Sequence, residues 1–259
     1  MKNLIFTTSW DDGGRDNLKL LDLLNKYGLK GTFYIQGQEA SDNAGRHDLL
    51  EIVKTQEVGG HTLNHPKLTK ISLQEAKQEI ISGKGTLESL LGQKVEMFAY
   101  PYGMFNEEIK NIVFAAGFLG ARTVKKFDFN LPKDFFEFNT TFQVYPHPFR
   151  KRDAKHLHGP KVVLQPLKNN FSPILKLKLP LNSFLTWPFL VKNLFDYSHK
   201  NGEIFHLFGH AHEIEKYGLW QDLEKFFKYL TKSEGIIYLT NSEVLKQTTN
   251  VQTKLPKEN

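Results

Sequence analysis

Short apolar runs alternate with amphipathic stretches through the front half of this chain, and that rhythm narrows its fold more than any other feature. Leu4 to Ser9 reads as a strand that stops at Asp11-Asp12-Gly13. Asp16 to Tyr27 carries Leu18, Leu20, Leu21, Leu23 and Leu24 at helical spacing, with Asp16 as N-cap and Gly28 as the stop. Thr32 to Ile35 is β-branched and aromatic, a second strand. A short helix over His47 to Thr55 and a brief strand at Val58 follow, ending in Gly59-Gly60. Ser72 to Leu91 is a long helix opened by a capping box, Ser72 with Glu75. Val95 to Tyr100 is a strand stopped by Pro101-Tyr102-Gly103; Asn106 to Ala116 is a helix and Phe118 to Val124 a strand. Strands separated by helices run parallel, in a sheet that is open or closed into a barrel.

From about 125 to 187 the rhythm breaks. That stretch is rich in Phe, Pro and Lys, shows no clear helix, and contains Leu175-Lys176-Leu177-Lys178-Leu179, which alternates like a half-exposed strand. It is expected to be an irregular insertion over one end of a single domain spanning residues 1–259. The rhythm resumes with a helix at Trp187 to Lys200, a strand at Glu203 to Phe208, a helix at Leu219 to Thr231 and a strand at Ile236 to Leu239; the last dozen residues read as loose. Net charge is +6, yet Arg150 to Pro180 alone holds eight basic residues against one acid, Asp153. A basic patch suits a phosphate-linked sugar, a membrane surface or nucleic acid, but a solvated loop and edge strand bearing lysines is the favoured reading. The lysines fit no nucleic-acid motif, so no nucleic-acid partner is expected.

In parallel α/β domains the chemistry gathers at the carboxyl ends of strands. Four groups sit at such ends: Asp11-Asp12, His61 with His65, Pro101-Tyr102-Gly103, and His210 after Ile204 to Phe208. Each alone is a weak signal, since Asp-Asp-Gly is also a common turn. Carboxylate and imidazole ligands without cysteine suit a zinc-like ion with a position open to water. A fourth such group would be free to move protons. The chain has no cysteine at all, which excludes disulfides and a thiolate nucleophile.

Taken together, the groups resemble the polysaccharide deacetylases, carbohydrate esterase family 4, whose shared unit is the NodB-homology domain. Ser9-Trp10-Asp11-Asp12-Gly13 is similar to the first motif, Gly60-His61-Thr62-Leu63-Asn64-His65-Pro66 to the second, Phe98-Ala99-Tyr100-Pro101-Tyr102-Gly103 to the third, and Leu207-Phe208-Gly209-His210 to the last. The resemblance implies a distorted (β/α) barrel of about seven strands. It implies Asp11 as general base, Asp12, His61 and His65 as ligands of zinc (or cobalt, nickel or manganese), and His210 as general acid. Trp10, Pro101, Tyr102 and His212 are the expected substrate contacts.

Two departures stand out. The third motif of the family carries an arginine that pairs with the base; here that position is Ala99, and Arg122 at the end of the next strand is the candidate replacement, a plain surface salt bridge being its other reading. The acidic motif that orients the acid histidine is not recognisable, and Glu213 and Asp128 are both candidates for its place. The activity implied is removal of N-acetyl groups from an amino sugar, in a polysaccharide or a phosphate-linked glycan precursor. The alternatives are a weak or inactive carbohydrate-binding relative, and an amidohydrolase acting on another small amide or ester. No export signal is read after Met1 and no stretch approaches a membrane span, so a cytoplasmic location is expected.

Overall fold

The computed structural model describes residues 3–149 and 160–252. Among them the strands are β1 (Leu4–Asp11), β2 (Thr32–Ile35), β3 (Glu57–Gly60), β4 (Met97–Ala99), β5 (Gly120–Arg122), β6 (Phe142–Gln143), β7 (Ile204–His210) and β8 (Ile236–Tyr238). The helices are α1 (Asp16–Lys26), α2 (Gly37–Ala40), α3 (Asn43–Ile52), α4 (Leu73–Leu91), α5 (Glu107–Ala115), α6 (Pro160–Val163), α7 (Gln165–Lys176), α8 (Trp187–Asn201), α9 (Ala211–Tyr217), α10 (Trp220–Leu230) and α11 (Asn241–Gln252). Every strand pairing is parallel, in the order β5-β4-β3-β2-β1-β7-β6. β8 adds to β1 at Leu4 to Phe6, on the lower half of the side whose upper half, Ser9 to Asp11, pairs with β2. Seven strands on one curled path, plus this short eighth, form the expected half-closed (β/α) barrel.

β1 is buried at all eight positions, although it contains Thr7, Thr8 and Ser9. Buried hydroxyls need partners, and they have them. Thr7 donates to Asn241 Oδ1 at 2.8 Å, Asn241 Nδ2 donates to Ser9 Oγ at 2.7 Å and to the Tyr34 hydroxyl at 2.8 Å, and Ser9 Oγ lies 2.7 Å from His206 Nε2. His206 Nδ1 donates to the Asn139 carbonyl at 2.8 Å, which leaves Nε2 free to accept from Ser9. Burial, with Arg122 nearby, pushes His206 down to about 3, so it is a neutral core group. A polar layer thus fills the barrel beneath the strand ends. Outside the sheet the core is aromatic: Phe6 stacks on Phe205 at 5.9 Å, and Phe195 and Phe226 pack edge-on nearby.

The helix α4 begins with the expected capping box, Ser72 accepting from the Glu75 amide and Glu75 from the Ser72 amide. The insertion, however, is not free of helices. α7 hides from a periodicity search because its buried face is Pro166, Asn170 and Ile174, with Pro173 inside it. Asn170 is held there by its amide, which donates to His147 Nδ1 at 3.1 Å. The alternating Leu175 to Leu179 run is the end of this helix followed by a turn at Lys178, where φ is 52°, and not a strand. α11 is a second helix that periodicity does not reveal: Val244 and Leu245 bury against the sheet among mostly polar neighbours. Arg150, Lys151, Arg152 and Lys155 of the basic segment lie outside the described residues.

Candidate functional site

Parallel register sets the carboxyl ends of β1, β3, β5 and β7 side by side. Asp11 pairs with His210 across β1–β7, and Ala99 with Arg122 across β4–β5. Just past the strand ends the backbone turns sharply: Asp12, His65 and Tyr102 all have φ near +60°. Such conformations are uncommon outside glycine and cluster where side chains are aimed for a purpose. The loop carrying His61 and His65 rests directly on α4. Gly83 makes this possible, since a Cβ there would come within 2.4 Å of the Thr62 carbonyl carbon. Glu79 on the same helix accepts from the Leu63 and Asn64 amides.

Asp12, His61 and His65 converge. One ligand atom from each lies within 4.8 Å of the others. His61 Nδ1 donates to the Ala99 carbonyl at 2.8 Å, so its Nε2 carries the lone pair. That Nε2 is 3.1 Å from His65 Nε2 and 3.9 Å from Asp12 Oδ1, and His65 Nε2 is 3.8 Å from the same oxygen. Bonds of 2.0–2.1 Å to a tetrahedral zinc put its ligand atoms about 3.3 Å apart. Burial pushes His61 down to about 4, against the pull of Asp11, so it is neutral and able to ligate. One carboxylate and two imidazoles facing one another, with Gln36 Nε2 donating to Asp12 Oδ1 at 3.1 Å, are a donor set that suits a divalent cation.

Asp11 is 5% exposed and is not part of that cluster. Arg122 is fully buried, and its Nη2 donates to Asp11 Oδ1. The guanidinium lies 5.2 Å from the Tyr34 ring and 5.1 Å from Phe208, and its Nε has no hydrogen-bond partner among the described residues. Burial alone would raise the Asp11 carboxyl; Arg122, helped by His61 and His210, outweighs it and holds Asp11 below the usual carboxylate range. Arg122 is therefore no surface salt bridge. β5 neighbours β4 in register, so a charge missing at Ala99 is supplied from the partner strand at the same level.

On the other side of Asp11, His210 Nε2 is 4.0 Å from Asp11 Oδ2 and 3.9 Å from Asp12 Oδ2. Its Nδ1 lies 2.9 Å from Glu213 Oε2. Burial pulls His210 down, but the Glu213 hydrogen bond, with Asp11 and Asp12, more than offsets it and raises its affinity for a proton. Glu213 takes the orienting position because His210 occupies the N-cap position of α9 and residue i+3 comes back over it. Asp128 is committed elsewhere, to Asn139 and Asn130.

Two of the expected substrate contacts are buried. Trp10 is fully buried with its Nε1 donating to Thr8 Oγ1 at 2.8 Å; side chains alternate along β1, so the neighbour of Asp11 faces the core. Pro101 is buried in the turn it begins. Tyr102 is 55% exposed, its ring 4.6 Å from that of His65, and His212 is exposed, 5.3 Å from the His210 ring. The reading from sequence missed Gln36, the Ala99 carbonyl and Asn241. Gln36 and Asn241 belong to none of the four motifs, and Ala99, although inside the third, acts through its backbone carbonyl, which no pattern of side chains reveals.

Residues 3–121 match the model of the polysaccharide deacetylase family, which bears out the resemblance drawn from the motifs. The chain is similar to the peptidoglycan-N-acetylmuramic acid deacetylase PdaC of Bacillus subtilis, 29% identical over 110 residues, 41% of this chain but only 23% of that protein's length. Among solved structures, a polysaccharide deacetylase described as putative from Mycobacterium smegmatis superposes with a TM-score of 0.70 at 13% identity, covering the whole of this chain and 94% of that one. A pseudoenzyme of carbohydrate esterase family 4 from Bacillus anthracis superposes with a TM-score of 0.58 at 18% identity, over 94% of this chain and 66% of that one.

Proposed function

Taking the chain as a relative of the polysaccharide deacetylases, we propose that it is a metal-dependent hydrolase that removes N-acetyl groups from an amino sugar. The observation that carries this reading is the Asp11–Arg122 pair facing a Glu213-supported His210 beside the Asp12–His61–His65 cluster. Asp12, His61 and His65 would hold zinc, or cobalt, nickel or manganese. When bound, such an ion acidifies water and polarises an acyl oxygen. Asp11, kept ionised by Arg122, accepts the proton of the attacking water. His210, kept protonated by Glu213, delivers a proton to the leaving nitrogen, which an amide needs because its amine is a poor leaving group otherwise. Tyr102, beside His65 and exposed, forms one wall for the sugar. The products are acetate and a free amino sugar, from a polysaccharide or a phosphate-linked glycan precursor.

The test is acetate release from a panel of N-acetylated sugars, neutral and phosphorylated, with metal content measured alongside. Activity should vanish on chelation and return with one added divalent ion. Stoichiometric metal with no acetate from any sugar would favour a binding-only relative, and release from simple amides or esters alone would favour a different amidohydrolase.

Glu213→Gln tests the proton on His210. Losing the carboxylate removes an opposing charge, worth about 1–3 pKa units at this range. The His210 pKa should fall, so the alkaline limb of the rate profile should move to lower pH. Nuclear magnetic resonance titration of His210 checks it; an unchanged pKa would remove Glu213 from this role.

A further inference from the structure

The insertion exposes apolar side chains on the face that a packed helix normally keeps polar. Leu164, Phe171 and Leu175 lie along one side of α7 and its entry, opposite the buried Pro166, Asn170 and Ile174, and are 45%, 51% and 52% exposed. Leu181 and Leu185, in and just after the helical turn at Leu181–Phe184, are 80% and 61% exposed, and Phe189 in the first turn of α8 is 43% exposed. These elements are neighbours: the Phe171 and Phe184 rings meet at 5.4 Å. Scattered exposed leucines need no explanation, but a contiguous group of this size marks a contact surface.

The charge on this surface says what the contact is. Lys168 shares the α7 stripe with Phe171 and Leu175, and Lys161, Lys176 and Lys178 flank it, all exposed. None of the four has an acidic partner among the described residues. The sequence contains no Asp or Glu from Ala154 to Phe195. Lysines interleaved with leucine and phenylalanine, with no acid to balance them, are the composition of a helix that lies in the interface of an anionic bilayer. A second copy of this chain is a poor occupant, because a two-fold contact would set the lysines against themselves. No helix among the described residues is long and apolar enough to cross a membrane, so the contact is peripheral.

We propose that α7 and the Leu181–Leu185 turn form a docking surface for an anionic lipid bilayer, the leucines and phenylalanines entering the acyl boundary while the lysines meet the headgroups. α7 and β6 line one cavity, through Pro166 and Asn170 on the helix and Phe142 and Gln143 on the strand, and β6 pairs with β7, whose end carries His210. Docking there brings the strand-end groove beside the bilayer, where a lipid-linked or envelope glycan would be met. The surface stands on its own observations and holds whether or not Asp11 and His210 act on an amide.

Flotation of the full chain with vesicles tests it without any activity. Phosphatidylcholine vesicles containing phosphatidylglycerol should carry the protein, and pure phosphatidylcholine vesicles should not. Lys168→Glu with Lys176→Glu should weaken partitioning by more than ~25-fold, at roughly fivefold or more per lysine near an anionic surface. Leu181→Ser with Leu185→Ser should abolish it at any salt, and both pairs replace exposed side chains, so melting should be unchanged. Equal flotation with neutral vesicles, or none with either, overturns the proposal. So does a dimer in light scattering that the Leu181→Ser, Leu185→Ser variant dissociates.

Discussion

Asp11→Asn should lower turnover by about 10²–10⁴, the usual contribution of a proton-transfer residue, while metal content stays at its wild-type level. The asparagine keeps the shape of the side chain and can still accept from Arg122, but it cannot take a proton from water. Asp11 lies outside the Asp12–His61–His65 cluster, so metal retention and turnover should separate. The measurement is acetate release beside metal analysis of the same sample. Metal loss in step with activity would make Asp11 a ligand and leave the base unassigned.

Removing Arg122 should cost most in stability. The Asp11–Arg122 pair is buried on both sides, and Arg122→Met takes away the main charge opposing the Asp11 carboxylate, leaving only the weaker pull of His61 and His210. Breaking one side of a buried pair typically costs about 3–5 kcal/mol. The pH dependence should also reverse for this group. With Arg122 present, the Asp11 pKa is below its unfolded value, so its contribution is present above the unfolded pKa and lost as pH falls through the folded one. Without Arg122, burial raises the folded pKa above the unfolded one. Its contribution is then present at low pH and lost as pH rises through the raised pKa. Denaturant melts of the metal-free protein at weakly acid and neutral pH test both points. A loss below about 1 kcal/mol, equal at the two pH values, would show that Asp11 does not depend on this charge.

The misses have a common origin. Glu213 and Asp128 are equivalent as letters in the sequence; one lies in the first turn of α9 against His210 and the other sits among Asn130 and Asn139. Trp10 stands next to two aspartates, which suggests a groove residue, yet the two-residue period of β1 sends it to the opposite side. α7 looks irregular in sequence because its buried face includes an asparagine and a proline, residues that periodicity counts as breaks.

What the sequence determined by itself is local and periodic. The alternation of strand and helix demanded a parallel sheet, parallel strands put their carboxyl ends on one side, and the motifs at those ends named Asp11, Asp12, His61, His65 and His210. The capping box at Ser72 and Glu75 was legible for the same reason, since it spans a single turn. Only the tertiary structure decided which arginine faces the base, which acid supports the histidine, and that the hydroxyls of β1 close on Asn241 and His206. Those choices join residues 111, 3, 232 and 197 positions apart. Apart from the helical turn of His210 and Glu213, they depend on cross-strand register and on which face is buried. Both are settled by packing the whole sheet against its helices, and no window of sequence contains that information.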